Sequence, residues 1–179
     1  SVEESLREFG LTDVTIEPTV GTEHVHKYRS KLTPHFQAPA KRRRSGLPTA
    51  DAMMIEAIGF QRQTSRQIVD VEHCPIATDA VNDAYQATRQ ELLSRPPRKK
   101  KGATLLFRQA NNCDNFVTSS HQEYISTRVN DYDFTYRAGN FFQNNYFVLP
   151  YMVNAVIDHA KPNMTHLVDC YCGSGLFAI

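Results

Sequence analysis

The chain has 179 residues, 41% of them apolar and 22% charged, with a formal net charge of +1. That length allows one domain or one and a half with a real core, and the composition excludes a disordered or collagen-like chain. No apolar run approaches the roughly 20 residues a membrane helix needs, and four cysteines are too few and scattered for a disulfide framework.

Charge is uneven. Lys41-Arg42-Arg43-Arg44 and Arg98-Lys99-Lys100-Lys101 hold eight of the 20 basic residues, leaving 12 against 19 acidic side chains elsewhere. Two such runs can attract phosphates even on a near-neutral chain. Solvated loop tips, or an import signal in the first run, remain equally open. Reduced thiols point to an intracellular setting, in cytoplasm or nucleus. The chain begins at Ser1 with no signal-peptide pattern, so its start reads as a cut or processed end.

In chain order, residues 2–9 read as a helix stopped by Gly10, and residues 14–20 alternate as a strand. Residues 27–36 alternate again, with Tyr28, Leu32 and Phe36 as inward positions. Two prolines, a glycine and the first basic run make residues 38–49 a loop. Residues 53–61 and 67–76 read as paired strands joined by R-Q-T-S-R. Thr78 or Asp79 caps a helix to about Leu93, with Ala80, Ala84, Ala87 and Leu92 on its inner face, and Pro96-Pro97 ends it. Strands follow at residues 103–109 and between 116 and 134. A helix at residues 147–159 then leads to an apolar strand, H-L-V-D-C-Y, at residues 166–171. The change from strands to helix near residue 135 divides the chain into residues 1–133 and 134–179.

The glycine turn Gly173-Ser174-Gly175-Leu176-Phe177-Ala178 fits the loose G-x-G-x-x-G/A pattern, in which glycine lets backbone approach a ligand. A nicotinamide dinucleotide would match it too. Asp169, just before the turn, favours a cationic ligand over a diphosphate, and S-adenosylmethionine carries an ammonium and a sulfonium. A tight turn without ligand is the bland alternative. Phe141-Phe142-Gln143-Asn144-Asn145 offers amides either to a polar ligand or as caps of the following helix.

Four segments in order then carry a resemblance: Y-R-S-K-L-T-P-H-F at residues 28–36, I-G-F-Q…I-V-D-V-E-H-C-P-I at 58–76, F-T-Y-R-A-G-N-F-F-Q-N-N at 134–145, and L-V-D-C-Y-C-G-S-G-L-F at 167–177. Together they resemble the S-adenosylmethionine-dependent RNA uracil-C5 methyltransferases, the eukaryotic, fungal type acting on tRNA above all. The resemblance implies an α+β fold, with a strand-rich RNA-binding domain (1–133) followed by the first helix and strand of a Rossmann-like, class I methyltransferase domain (134–179). It implies S-adenosylmethionine as cofactor, held by Gln143, Tyr171, Gly173 and Gly175 with Asp169 beside them, and tRNA as partner, with neither membrane nor protein partner expected.

Leu176 stands where many relatives have asparagine and cannot supply that hydrogen bond. Tyr28, Arg29 and Lys31, with Lys41, Arg42, Arg43, Arg44, Arg98, Lys99, Lys100 and Lys101, are the residues expected on RNA, since the uracil must leave its stack while the surrounding backbone is gripped. In the family a cysteine thiolate adds to uracil C6, C5 takes the methyl, and a carboxylate removes the C5 proton. Both groups lie beyond Ile179, so the chain reads as an inactive fragment whose lone apolar strand is exposed. Cys170 and Cys172 are expected to be buried thiols and Cys113 a loop thiol. Cys74 matches a cluster ligand of some bacterial relatives whose other three ligands lack counterparts here, and no cluster is expected. His24, His26, His73 and Cys74 are too irregularly spaced for a zinc set. A non-catalytic RNA-binding module and a nicotinamide-dependent oxidoreductase stay as alternatives.

Overall fold

A computed structural model of the chain describes residues 1–41, 53–98, 101–111, 116–160 and 163–178. Among these it mixes three helices with several small antiparallel sheets. Helix α1, Val2–Glu8, starts with a capping box, in which the Ser1 hydroxyl accepts from the Glu4 amide at 3.3 Å. Gly10, in the left-handed region at φ +79°, follows its end, and none of its residues is buried. Residues 14–20, expected as a strand, form none. Val14, Ile16 and Val20 are exposed and no described strand lies alongside to take up their backbone hydrogen bonds.

The strand expected over residues 27–36 is divided. β1 (Lys31–Leu32) and β2 (His35–Phe36) flank Pro34, and β3 (Ala40–Lys41) pairs with β4 (Met53–Met54). The paired strands expected next form as β5 (Ile58–Gln61) and β6 (Ile68–Asp70). Helix α2 runs Asp79–Ser94, capped by the Thr78 hydroxyl accepting from the Val81 amide. Beyond it lie β7 (Ala103–Thr104) and β8 (Phe107–Gln109). β1 pairs with β8 and β2 with β7 in one unbroken antiparallel register. The break is chemical: Pro34 has no N–H, but its carbonyl still accepts from the Leu105 amide at 2.8 Å.

The sheets are β6-β5-β2-β7 and β1-β8-β9, the last strand being Val117–Thr118. Alternation along β1 and β2 buries Leu32 and Phe36, as expected, while Tyr28 is only partly covered. These two join Ile55, Ile58, Cys74, Ala77, Val81, Tyr85 and Phe107 in one core. The inner face of α2 differs from expectation. Val81, Asn82, Tyr85 and Arg89 are buried, whereas Ala80, Ala84 and Leu92 are partly covered and Ala87 is exposed. Two polar anchors explain the rotation. The Tyr85 hydroxyl reaches the carbonyls of Ile58 and Val71, and Arg89 grips Asp70 with bonds of 2.8 and 2.6 Å. Burial pushes the Tyr85 hydroxyl pKa up, and the Arg89 bonds hold the Asp70 carboxyl below the ordinary carboxylate range.

A second core forms around the hairpin β10 (Tyr124–Val129) and β11 (Tyr132–Arg137). Its two-residue turn places Asn130 at φ +52°, a conformation asparagine tolerates. Ile125, Val129, Phe134 and Tyr136 pack with Leu106, Ala110, Phe142 and Leu149, the first residue of α3 (Leu149–His159). The division at residue 133 thus falls within β11. Residues 166–171, expected as a strand, form none. Leu167 and Val168 are exposed, with no described strand beside them. No described helix is long and apolar enough to cross a membrane.

Candidate functional site

Three of the four sequence segments meet at one junction. Residues 27–30 lie against the turn at 74–78: Lys27 and Arg29 amides donate to the carbonyls of Pro75 and Ile76 at 3.1 and 2.7 Å, and the Thr78 amide donates to Arg29 at 3.0 Å. From the other side comes the amide-rich loop. Both the amide and the hydroxyl of buried Ser30 donate to the Asn144 carbonyl, at 2.9 and 3.0 Å, and Arg29 bridges to Asn145.

Arg108, on β8, lies at the centre of the junction with no solvent exposure. It donates to Asn144 Oδ1 and the Tyr136 hydroxyl at 3.1 Å each and to the Phe142 carbonyl at 3.3 Å. Its guanidinium lies 5.2 Å from the centre of the Tyr136 ring. Tyr136 in turn shares a 2.7 Å bond with Thr127 and stacks on Phe142 at 4.4 Å. No carboxylate among the described residues pairs with Arg108, and its Nε has no acceptor. Chain 142–144 is therefore fixed from below by a buried cation. Charge periodicity missed this residue, because an arginine within L-L-F-R-Q-A reads as outward-facing. No sequence signal marks it as buried, since its acceptors lie 28 to 36 residues further along the chain.

Fixing Asn144 leaves Gln143 half-buried, its side-chain amide engaged by no described residue. The expectation that Gln143 and Asn144 cap the next helix is not met. Val148 is the N-cap without a side-chain bond, and Asn145 Oδ1 accepts from the Phe147 amide instead. Over this loop sits the glycine turn, where the Ser174 hydroxyl donates to the Phe141 carbonyl at 3.4 Å. Gly173 and Gly175 have φ of +57° and +79°. A Cβ would meet nothing closer than 3.8 Å at either, so the dihedral rather than crowding calls for glycine. Leu176 faces inward, 9% exposed, in the core with Phe142 and Leu149. A packing role accounts for an apolar residue there.

Asp169 is partly covered, and its Oδ2 is shielded from water without a hydrogen-bond donor. A carboxylate oxygen in that state is suited to a donor from a bound molecule. Tyr171 stands fully exposed at φ +64°. Cys170 and Cys172 are exposed, contrary to the buried packing expected, because the strand meant to bury them does not form.

Of the residues expected on RNA, Tyr28 and Arg29 are half-buried, Arg29 Nε donating to the Lys31 carbonyl at 3.0 Å. Lys31 Nζ lies 3.4 Å from the carbonyls of Gly139 and Asn140. Burial, then the Arg108 and Arg29 charges, lower its pKa. Arg98 and Lys101 are exposed without an ion pair among the described residues. Lys41 is described in its backbone, in β3. Arg42, Arg43, Arg44, Lys99, Lys100 and Cys113 lie outside the described residues. Cys74 is buried, its amide donating to Asn82 Oδ1 at 3.0 Å, and His24 stacks on Phe147. No group of three or more His, Cys, Asp or Glu suited to a metal occurs among the described residues.

No protein-family model matches the chain. It is 33% identical over 194 aligned positions to the tRNA (uracil(54)-C(5))-methyltransferase of Schizosaccharomyces pombe, an alignment covering 99% of this chain and 35% of that enzyme. The enzyme of the same name from Saccharomyces cerevisiae is 26% identical, over 91% of this chain and 34% of its own length. In fold, the chain resembles the crystal structure of Pyrococcus abyssi tRNA (uracil-54, C5)-methyltransferase in complex with S-adenosyl-L-homocysteine, with a TM-score of 0.57 at 14% identity, over 87% of this chain and 46% of that one. The chain is matched along nearly its whole length and spans about a third of the length of these two yeast enzymes.

Proposed function

We propose that the chain is part of an enzyme that methylates C5 of a tRNA uridine, position 54, using S-adenosylmethionine. The observation that carries this is the 33% identity extending over 99% of the chain. Residues 1–133 serve as the RNA-binding part and residues 134–179 begin the methyl-donor part, with the first helix of a Rossmann-like domain in α3. The two parts interlock, since β11 crosses the division. The setting is intracellular, where tRNA is modified.

The residues present fit the donor. Asp169 Oδ2 lacks a hydrogen-bond donor and would accept from the cationic amino-acid portion or a sugar hydroxyl. Gln143 offers an unengaged amide, and Gly173 and Gly175 turn the backbone without side chains in the way. Tyr171, fully exposed, is available to cover the molecule. S-adenosylmethionine supplies an electrophilic methyl group when bound.

Lys31, Arg29 and Tyr28, with the basic runs 41–44 and 98–101, carry the tRNA backbone. Because Arg29 bridges Asn145 and Ser30 is hydrogen-bonded to Asn144, RNA contact at Arg29 lies two residues along the loop from the donor-binding amide of Gln143. The covalent steps belong to groups outside this chain. A thiolate would add to C6, the C5 carbanion would take the methyl as the sulfonium carbon–sulfur bond breaks and the thioether leaves, a carboxylate would remove the C5 proton, and elimination across C5–C6 would restore the thiolate.

The test uses the complete protein, methyl-labelled S-adenosylmethionine and tRNA transcripts. Label should enter uridine-containing tRNA and be lost when U54 is replaced by cytidine. S-adenosylhomocysteine, not NAD, should raise the melting temperature, and the 179-residue chain alone should transfer nothing. Stabilisation by NAD alone, or methyl transfer by the isolated chain, would overturn the reading.

A further inference from the structure

The outer face of the four-stranded sheet carries a groove that none of the residues assigned above occupies. His35 pairs with Gly59 on one side and Thr104 on the other, and Phe36 beside it points into the core. Alternation therefore sets His35, Thr104 and, two residues on from Gly59, Gln61 on the face away from that core. Gln37 and Arg66 close the groove, which has a volume of about 360 Å³. Gly102 forms one wall. Its Cβ would lie 2.0 Å from the Phe36 carbonyl oxygen, so only glycine lets this stretch press against β2.

Internal bonds leave a definite set of free groups. His35 Nδ1 is spent on Thr104 Oγ1 at 2.8 Å and Gln37 Nε2 on the Arg66 carbonyl at 3.2 Å. That leaves His35 Nε2, Gln37 Oε1, the whole Gln61 amide and the Arg66 guanidinium facing solvent without a described partner. No acidic side chain lines this groove; Glu56 lines a smaller adjoining hollow that shares Gln37, Ala38 and Ile68 with it. Lys101, immediately before Gly102, is exposed and unpaired among the described residues.

A single positive fork beside a cluster of neutral donors and acceptors matches one nucleotide: phosphate on the guanidinium, base edge or 2′-hydroxyl on the amides and imidazole. The volume is within the range of small-ligand sites. A smooth phosphate track would need further cations along the groove rather than amides.

We propose that this groove takes one unstacked nucleotide of the tRNA, distinct from the uridine that is methylated, with Arg66 on its phosphate and Gln61, Gln37 and His35 on its base or ribose. The inference rests on the proposed tRNA-methylating function and adds a specificity site to it. Such a site reads a looped-out or single-stranded base, the form in which RNA sequence is accessible to side chains.

The complete protein tests it with tRNA carrying photoreactive 4-thiouridine and with the variants Arg66→Glu, Gln61→Ala and His35→Ala. Arg66 and Gln61 are exposed and His35 points outward, so folding should be preserved, checked by unchanged melting temperatures. Cross-links should map to residues 35–37 or 61–66. Arg66→Glu should weaken tRNA binding about tenfold and reduce the salt slope by about one. Gln61→Ala and His35→Ala should weaken it a few-fold with the slope unchanged. Normal tRNA binding and methylation, with all three variants within twofold and cross-links elsewhere, would refute the groove and leave the methyltransferase reading standing. Absence of any tRNA binding by the complete protein would refute both.

Discussion

Replacing Arg108 with alanine is the sharpest test of how the junction is held. The side chain is wholly buried and donates three hydrogen bonds, at 3.1, 3.1 and 3.3 Å, to acceptors on Asn144, Tyr136 and Phe142. Hydrogen bonds from a charged donor contribute about 1.5–3 kcal/mol each. Against them stands the cost of burying a guanidinium with no carboxylate and an unpartnered Nε, several kcal/mol. The net loss in Arg108→Ala should be about 3 kcal/mol, with the acceptors stranded and a void left against Tyr136. For a chain of this size that corresponds to a fall in Tm of about 6–12 °C.

Arg108→Met separates the causes. Like alanine it removes the stranded Nε and the burial cost of the charge, but it also refills the volume, so it should lose about 1 kcal/mol less than alanine. Arg108→Lys keeps the charge but one ammonium cannot span three acceptors arranged for a fork, so it should fall nearer alanine. Urea and thermal unfolding of the chain give the comparison directly. If alanine and methionine both remain within about 0.5 kcal/mol of the original protein, Arg108 does not hold the 142–144 segment and the account of the junction fails. In the complete protein, the alanine variant should also weaken S-adenosylhomocysteine binding, since Gln143 depends on that anchored loop.

Asp70→Asn should cost about 1 kcal/mol at neutral pH, a value discounted because the Asp70 carboxylate is partly exposed. Asp70 titrates below its unfolded value, so its contribution is full above about pH 3.9 and is lost as pH falls through the lower folded pKa. Acid unfolding of the two proteins should therefore converge at low pH, and a constant gap across the range would contradict the ion pair. Gly59→Ala places a Cβ 2.1 Å from the Val69 carbonyl and should destabilise by about 2 kcal/mol or more through a shifted β5–β6 pairing, read by thermal unfolding. Gly175→Ala meets no obstacle in space but must hold φ +79°. It should cost about 1 kcal/mol locally and weaken S-adenosylhomocysteine binding in the complete protein, which calorimetry would detect.

Local chemistry was legible in the sequence where one short signal decides an outcome. Thr78 caps α2, Gly10 stops the first helix, and the polar link between residues 61 and 68 joins a hairpin. The alternation that buries Leu32 and Phe36 was equally visible, as were the four segments that carry the family likeness. A strand, however, exists only with a neighbour to accept its hydrogen bonds. Residues 14–20 and 166–171 have strand composition and no described neighbour, so neither forms, and Cys170 and Cys172 stay exposed as a result. The opposite case is residues 31–36 and 103–108, where one ladder is interrupted by a single proline.

Polar burial was the other thing left to tertiary structure. Arg89 turned α2 toward Asp70, displacing the alanine face, and Arg108 moved inside because acceptors from β11 and from the 142–144 loop converge on it. Composition and spacing determine which residues are apolar and where the chain turns. Whether a charged side chain goes inward depends on partners tens of residues away, and those distances are set only when the sheets close.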